Sequence, residues 1–187
     1  SEIDPGQAWE NLWPIALETL SSLGATTIAA ISLQEWFRRL LLESKFHLIN
    51  QVILLEWERG SLPQINTLSD LMIRALDIQD MPALEVLDRA AFGPLWHNSS
   101  ESLACAYRQA AIATVAEVEG EIVAYQISTA TQMGGHLARL ATHPNYQNLG
   151  IGSALLQDLL SQFVLRGALR ITVNTQQDNK ASISLYE

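Results

Sequence analysis

Cysteine is nearly absent: Cys105 is the single one in 187 residues, which excludes an intramolecular disulfide and any cysteine-rich zinc centre. Its setting, Ser102-Leu103-Ala104-Cys105-Ala106-Tyr107, marks it as a small buried residue of a helix rather than a nucleophile. A lone thiol also suits a reducing, cytoplasmic compartment. No apolar run approaches the roughly 20 residues of a membrane span, and Ser1-Glu2-Ile3-Asp4-Pro5 has neither the basic nor the apolar region of a signal peptide. The first residue is not Met, so the chain reads as trimmed. Positive charge is scarce: 11 Lys and Arg stand against 20 Asp and Glu, a net charge of -9. Such a chain repels a polyanion at long range, so neither nucleic acid nor an anionic membrane is an expected partner. The 48% of hydrophobic residues nevertheless fit one large globular domain or two small ones.

The polar stretch Glu58-Arg59-Gly60-Ser61-Leu62-Pro63 punctuates the chain and divides it into an N-terminal lobe, residues 1–63, and a larger domain, residues 64–187. In the lobe, Trp9, Leu12, Trp13, Ala16, Leu17 and Leu20 recur at helical spacing. Pro14 is admissible there only in the helix's first turn. Gly24 stops that helix, residues 26–31 are β-branched enough for a buried strand, residues 33–43 read as a helix and residues 46–57 as a long strand. In the larger domain, residues 70–78 read as a strand, and Asp80-Met81-Pro82 starts a helix with Asp80 as cap and Leu84, Leu87, Ala91 and Phe92 on its apolar face. A second helix over residues 99–110 begins on a capping Ser. Residues 113–118 and 121–130 form a hairpin about Glu119-Gly120, and residues 135–142 continue the meander. Gly152, Leu155, Leu156, Leu159, Leu160, Phe163 and Val164 line one face of a helix that ends at Arg166-Gly167. A strand over residues 169–175 and a helix from Asn179 follow. The class is α/β (α+β).

Gln147, Asn148, Leu149, Gly150, Ile151, Gly152 and Ser153 lie between the last meander strand and the amphipathic helix. Two glycines so placed let the backbone turn sharply and point successive N–H groups outward at the positive end of a helix dipole, an arrangement that binds phosphate. The stretch lacks the Gly-Lys-Ser/Thr of a Walker loop, and Leu155 stands where a dinucleotide fingerprint needs its third glycine. Spacing alone leaves two readings open, a phosphate-binding turn and an ordinary glycine-rich helix start.

The longer run from Leu137-Ala138-Arg139-Leu140-Ala141-Thr142-His143-Pro144 through Gln147 to Gly152 and Leu156 closely resembles the acetyl-CoA-binding motif of the GNAT superfamily of N-acetyltransferases. The resemblance extends to Ile73-Arg74-Ala75 with Asp80, to the hairpin from Val115-Ala116-Glu117 to Tyr125, and to Asn179 with Leu185-Tyr186, similar to the family's Asn-x-x-Ala/Ser-x-x-Leu-Tyr helix. It implies a mixed, mostly antiparallel central sheet flanked by helices. It also implies transfer of an acetyl group from acetyl-CoA to a primary amine, on a small molecule or a peptide or protein N-terminus, without a metal. Carried over by position, Leu140, Ala141 and Thr142 would offer backbone groups to the pantetheine arm, and Gln147 through Ser153 would hold the pyrophosphate. Asn179 would hydrogen-bond the pantetheine. Tyr186 would either protonate the departing thiolate or serve only as a packing aromatic.

Many relatives place a Glu on the strand leading into the motif, where this chain has Met133-Gly134-Gly135-His136. His136 is either the base or an exposed strand-end residue, with Glu117 and a water chain as alternatives. A weak base favours an α-amine, of pKa about 8, over a lysine at about 10.4. His97 and His143, in loops, receive no role. Residues 90–99 resemble the same stretch in enzymes that acetylate ribosomal-protein N-termini, with Phe92 and Trp96 either bordering the acceptor groove or belonging to the core.

Residues 7–59 have the element order of the C-terminal half of a GNAT domain, with Ile28-Ala29-Ala30-Ile31 resembling the strand after the cofactor helix and Lys45-Phe46 standing near the family's Gly-Phe. They form a partial α/β lobe on this reading. The larger domain stops at Tyr186-Glu187, before the family's last two strands. Either the chain is trimmed on both sides, or residues 46–59 pair with the larger domain's sheet, within the chain or between two chains of a homodimer. The rival function is a non-catalytic module on the same fold that senses acyl-CoA or binds a protein.

Overall fold

The computed structural model describes residues 4–58, 60, 66, 68–131 and 134–186. They form two compact units, Ser1–Ile49 and Asn50–Glu187. In the first, α1 (Pro5–Ser22) opens on Asp4, whose carboxylate accepts the Gly6 N–H at 3.0 Å. Pro5 takes the first helical turn, so Pro14 lies in the helix interior, where it withholds one N–H from the ladder. Aromatic rings tie α1 to α2 (Glu35–Glu43) and the segment after it: Trp9 stacks on Trp13 at 5.2 Å between centroids and meets Phe37 edge-on at 5.5 Å, while Trp13 meets Phe46 at 5.3 Å. The strand expected over residues 26–31 does not form. Among the described residues this unit holds no strand, and an extended segment without a neighbour has nothing to take its backbone hydrogen bonds. The regular elements described in this unit are α1 and α2.

The second unit is built on a six-stranded sheet ordered β1-β6-β5-β4-β3-β2. Its strands are β1 (Val52–Glu58), β2 (Met72–Ala75), β3 (Ile112–Val118), β4 (Glu121–Ala130), β5 (Gly134–Thr142) and β6 (Arg170–Gln176). Every pair is antiparallel except β5 with β6. The long strand expected over residues 46–57 begins only at Val52, and it pairs within the chain, Leu55 opposite Val173. Half-buried Ile53, Leu55 and Trp57 alternate with exposed neighbours along it, as an edge strand with one covered face requires. Of the stretch read as a domain boundary, Arg59, Ser61, Leu62 and Pro63 lie outside the described residues.

The strand expected over residues 70–78 is confined to β2, and a 3-10 turn, Ile78–Asp80, follows it. Asp80 does not cap the next helix through its side chain. Its carboxylate accepts the Asp77 N–H and two Arg74 hydrogen bonds at 2.7 and 3.0 Å, and the Arg74 bonds hold it below the usual carboxylate range. Helices α3 (Met81–Ala91) and α4 (Ser100–Arg108) bury Leu84, Leu87 and Leu103 with Tyr125 and Ile127 on one face of the sheet. On the other face α5 (Ile151–Leu165) buries Leu159 and Phe163 with Leu137 and Ile171. The short α6 (Lys180–Tyr186) ends the described chain. Cys105 is exposed rather than buried: at about 100° per residue it points away from Leu103, the residue of α4 that faces the core. The β3–β4 turn forms as expected, with Glu119 and Gly120 both at positive φ. No helix among the described residues is long and apolar enough to cross a membrane.

Strand β5 departs from regularity on both sides. Its register with β4 shifts so that Ile127 faces Arg139 while Ser128 faces Leu137, which leaves Ala138 as the extra residue of a β-bulge. Its parallel pairing with β6 runs only from Gly134–Arg170 to Leu137–Val173. Beyond Leu137 the two strands part, and residues 138–142 keep one edge without a strand partner among the described residues. A Cβ at Gly134 would lie 2.6 Å from the Arg170 carbonyl oxygen, and one at Gly135 would lie 2.6–2.8 Å from Phe163 ring atoms. Only glycine permits this approach. Gly135→Ala is expected to cost about 1–3 kcal/mol by overpacking, read as a lower urea midpoint with an unchanged m-value.

Candidate active site

Where β5 leaves β6, a cleft of about 450 Å³ opens. Leu140, Ala141 and Thr142 of β5 line it, as do Gln147, Asn148, Gly150, Ile151, Gly152 and Ser153 of the following turn and Asn179 at the start of α6. Ala91 and Phe92 close it from the α3 side. The structure thus brings together most of the binding residues expected from sequence; Leu149, His136 and Tyr186 are not among the lining residues. Asn148 and Gly150 both have left-handed backbones, φ 61° and 79°, and these reverse the chain into α5. That helix has no side-chain cap and no acidic residue in its first turn. Its first N–H groups therefore lack intrahelical partners at the positive end of the dipole. A Cβ on Gly152 would meet Leu185 and Thr142 side-chain atoms at 3.5 and 3.6 Å, ordinary contact distances. The fold itself leaves room there.

Two of the polar side chains are already engaged. Gln147 Nε2 donates to the Thr142 carbonyl at 3.2 Å, and Asn179 Oδ1 accepts the Ser182 N–H at 3.1 Å as the cap of α6. An unpaired strand edge and an N–H cradle in one cleft fit an extended amide arm ending in phosphate.

His136 sits opposite Thr172, one residue before the strands part, with Nδ1 2.9 Å from Thr172 Oγ1. Met133, upstream of it, lies outside the described residues. Burial pulls the imidazole below its ordinary pKa, against an opposing hydrogen bond with the Thr172 backbone, so it is neutral at neutral pH. Tyr186 is half-buried against the Leu137–Phe163 cluster, and burial pushes its phenol up to about 12. Glu117, the alternative base, is held by Arg74 at 2.7 Å. His143 Nδ1 accepts the Asn145 N–H at 3.3 Å as a turn cap, and His97 Nδ1 is buried without a hydrogen bond.

A buried ion pair stands behind the cleft wall. Asp88 of α3 is fully buried and accepts two hydrogen bonds from Arg139, both at 2.8 Å, one from the Asn98 N–H at 2.6 Å, and one from the Tyr125 hydroxyl. Arg139 Nη2 also donates to the Trp96 carbonyl at 2.8 Å, and its guanidinium lies 3.5 Å over the Phe92 ring. Burial, then the Asp88 hydrogen bond and charge, raises the Tyr125 pKa above the phenol range. These contacts place Phe92 at the cleft and pin the α3–α4 loop on both sides of His97.

The Acetyltransferase (GNAT) family model matches residues 81–187. The chain belongs to the GNAT family. Acetyltransferase SG1711 of Sodalis glossinidius (strain morsitans) is 37% identical over 73 residues, 39% of this chain and 51% of that protein, so the match spans about half the relative's length. The ribosomal protein bS18-alanine N-acetyltransferase of Escherichia coli (strain K12) is 27% identical over 115 residues, 62% of this chain and 76% of that enzyme. The solved ribosomal-protein-S18-alanine N-acetyltransferase from Escherichia coli matches with a TM-score of 0.58 and 25% identity, over 62% of this chain and 74% of that one. The PaiA N-acetyltransferase from Thermoplasma acidophilum, solved with coenzyme A, shares the fold at TM-score 0.57 and 18% identity, over 62% and 86% of the two chains.

In this GNAT domain the residues that sequence reasoning missed are Asp88, Arg139 and Thr172. Asp88 lies four residues after Leu84, on the face read as apolar, and Arg139 interrupts the apolar run from Leu137 to Ala141; an acid and a base each set into a buried pattern were the available signal. Asp88→Asn keeps the volume but strips Arg139 of its counter-ion. It is expected to cost about 3–5 kcal/mol, visible as a large drop in melting temperature.

Proposed function

We propose that this GNAT chain transfers an acetyl group from acetyl-CoA to a primary amine, with the α-amine of a peptide or protein favoured over a lysine. The observation that carries this reading is the parting of β5 from β6 at Leu137 beside the uncapped turn of α5. One cleft there offers an unpaired strand edge for an amide-bearing arm and N–H groups for a diphosphate. Acetyl-CoA supplies the thioester. As the amine nitrogen bonds to the carbonyl carbon and the carbon–sulfur bond breaks, His136 takes the amine proton and Tyr186 gives its phenolic proton to the thiolate. A phenol raised to about 12 holds its proton at neutral pH, and a neutral imidazole has a lone pair to accept one. The bS18-alanine relative supports an α-amine acceptor, and an α-amine asks less of a weak base.

Calorimetry with acetyl-CoA is expected to show binding well below the millimolar range, and thiol release with a panel of amines and peptides to identify an acceptor. Binding with no release from any amine would favour the acyl-CoA sensor instead. Gly152→Ala is expected to leave the melting temperature unchanged or slightly higher while weakening acetyl-CoA binding at least about tenfold, or about 1.4 kcal/mol, because the added methyl reaches into the cleft.

The sign of the pH dependence follows from His136. With its pKa lowered, the base is lost only as pH falls below the ordinary imidazole value of about 6.5. Beneath the limb that the amine's own pKa of about 8 imposes, a second acid limb of kcat/KM is expected below the imidazole value and should vanish in His136→Gln; a second limb unchanged in that variant assigns the base elsewhere.

A further inference from the structure

Just before β5 and β6 part, they set a hydroxyl against the imidazole that the acetyl-transfer reading uses as base. His136 Nδ1 lies 2.9 Å from Thr172 Oγ1, and the same oxygen lies 3.4 Å from the Gly135 carbonyl oxygen. A hydroxyl carries one proton, and a carbonyl oxygen only accepts. Both contacts are therefore hydrogen bonds in one arrangement alone: Thr172 donates to the Gly135 carbonyl, and His136 Nδ1–H donates to Thr172 Oγ1. The lone pair of the neutral ring is then on Nε2.

We propose that Thr172 is a positioning residue that fixes His136 as the Nδ1–H tautomer and so makes Nε2 the proton acceptor for the amine. The inference rests on the acetyl-transfer reading for its purpose, though not for its geometry. Thr172 is suited to the task because β6 is paired on both sides, Thr172 opposite Glu56 on β1 and opposite His136 on β5. Its β-branched side chain has few rotamers to choose from. Gly134, at the start of the same pairing, lets β5 come close to β6, since a Cβ there would lie 2.6 Å from the Arg170 carbonyl oxygen. In the reaction the carbon–nitrogen bond forms and the carbon–sulfur bond breaks while the amine proton moves to Nε2. The ring becomes imidazolium with Nδ1–H still on Thr172, and it returns the Nε2 proton to water.

The test is a long-range proton–nitrogen correlation spectrum of 15N-labelled protein, with His136→Gln assigning the ring signals. The wild type is expected to show a protonated Nδ1 and a lone pair on Nε2. Thr172→Val, nearly isosteric and checked by its melting temperature, should lose that bias, and Thr172→Ser should keep it. An Nε2–H tautomer in the wild type, or ring shifts untouched by Thr172→Val, overturns the proposal whether or not the protein turns over. With an acceptor in hand, Thr172→Val should lower kcat about tenfold, a fraction of the 10²–10⁴ of a positioned base, with acetyl-CoA affinity unchanged. It should have no further effect in a His136→Gln background; equal losses in both backgrounds overturn the role. Failure of the wild type to release thiol from any amine would count against the acetyl-transfer reading and leave the tautomer result standing.

Discussion

A carboxylate with no solvent exposure is the constraint on which the cleft depends. Moving Asp88 out of water costs several kcal/mol, and only excellent geometry offsets that. The compensating donors come from three places, Arg139 on β5, Tyr125 on β4 and the Asn98 amide in the loop, and Arg139 in turn donates to the Trp96 carbonyl of the same loop. Satisfying one side chain on α3 therefore sets that helix against the sheet and the loop against both. The Ala138 bulge makes this possible. Leu137 packs toward α5, and in a regular strand Arg139 would share that face. One extra residue turns Arg139 to the α3 side, where Asp88 waits, and bends β5 away from β6. Aiming the guanidinium and opening the cleft are the same backbone event.

The acidity of the chain is compatible with an anionic ligand for a local reason. A net charge of -9 opposes anions at long range, yet the cleft presents peptide dipoles from the left-handed Gly150 turn and the first turn of α5, which act over a few ångströms. Fixed dipoles do not need a basic surface. The same economy holds for the proposed acid and base, whose protonation states are set by burial rather than by neighbouring charge.

What was legible in the sequence follows the range of the forces involved. The Glu119-Gly120 hairpin, the apolar face of α5 and the Gly150-Ile151-Gly152 turn are written in a few adjacent residues, and all three form. Residues 26–31 have the right composition for a strand but no neighbour to pair with, and composition does not report a neighbour. Propensity admits Pro14 only in a helix's first turn, a place that Pro5 takes behind its Asp4 cap. Cys105 was assigned to the core by residue type, although its phase relative to Leu103 puts it outside. Asp88 with Arg139, and His136 with Thr172, are joined across 51 and 36 residues; no local pattern encodes such a meeting, and the bulge that enables the first has no strong signature.

The placement of β1 bears on the order in which the molecule is assembled. The meander of β3, β4 and β5 joins near neighbours in the chain, and loops of that size close cheaply. The contact of Arg170 with Glu56 spans 114 residues, so the β1–β6 ladder pays a larger loop entropy and has to wait until β6 is itself docked by α5. The edge strand β1 is consequently laid down late, and its amide hydrogens belong to an outer, early-opening part of the sheet.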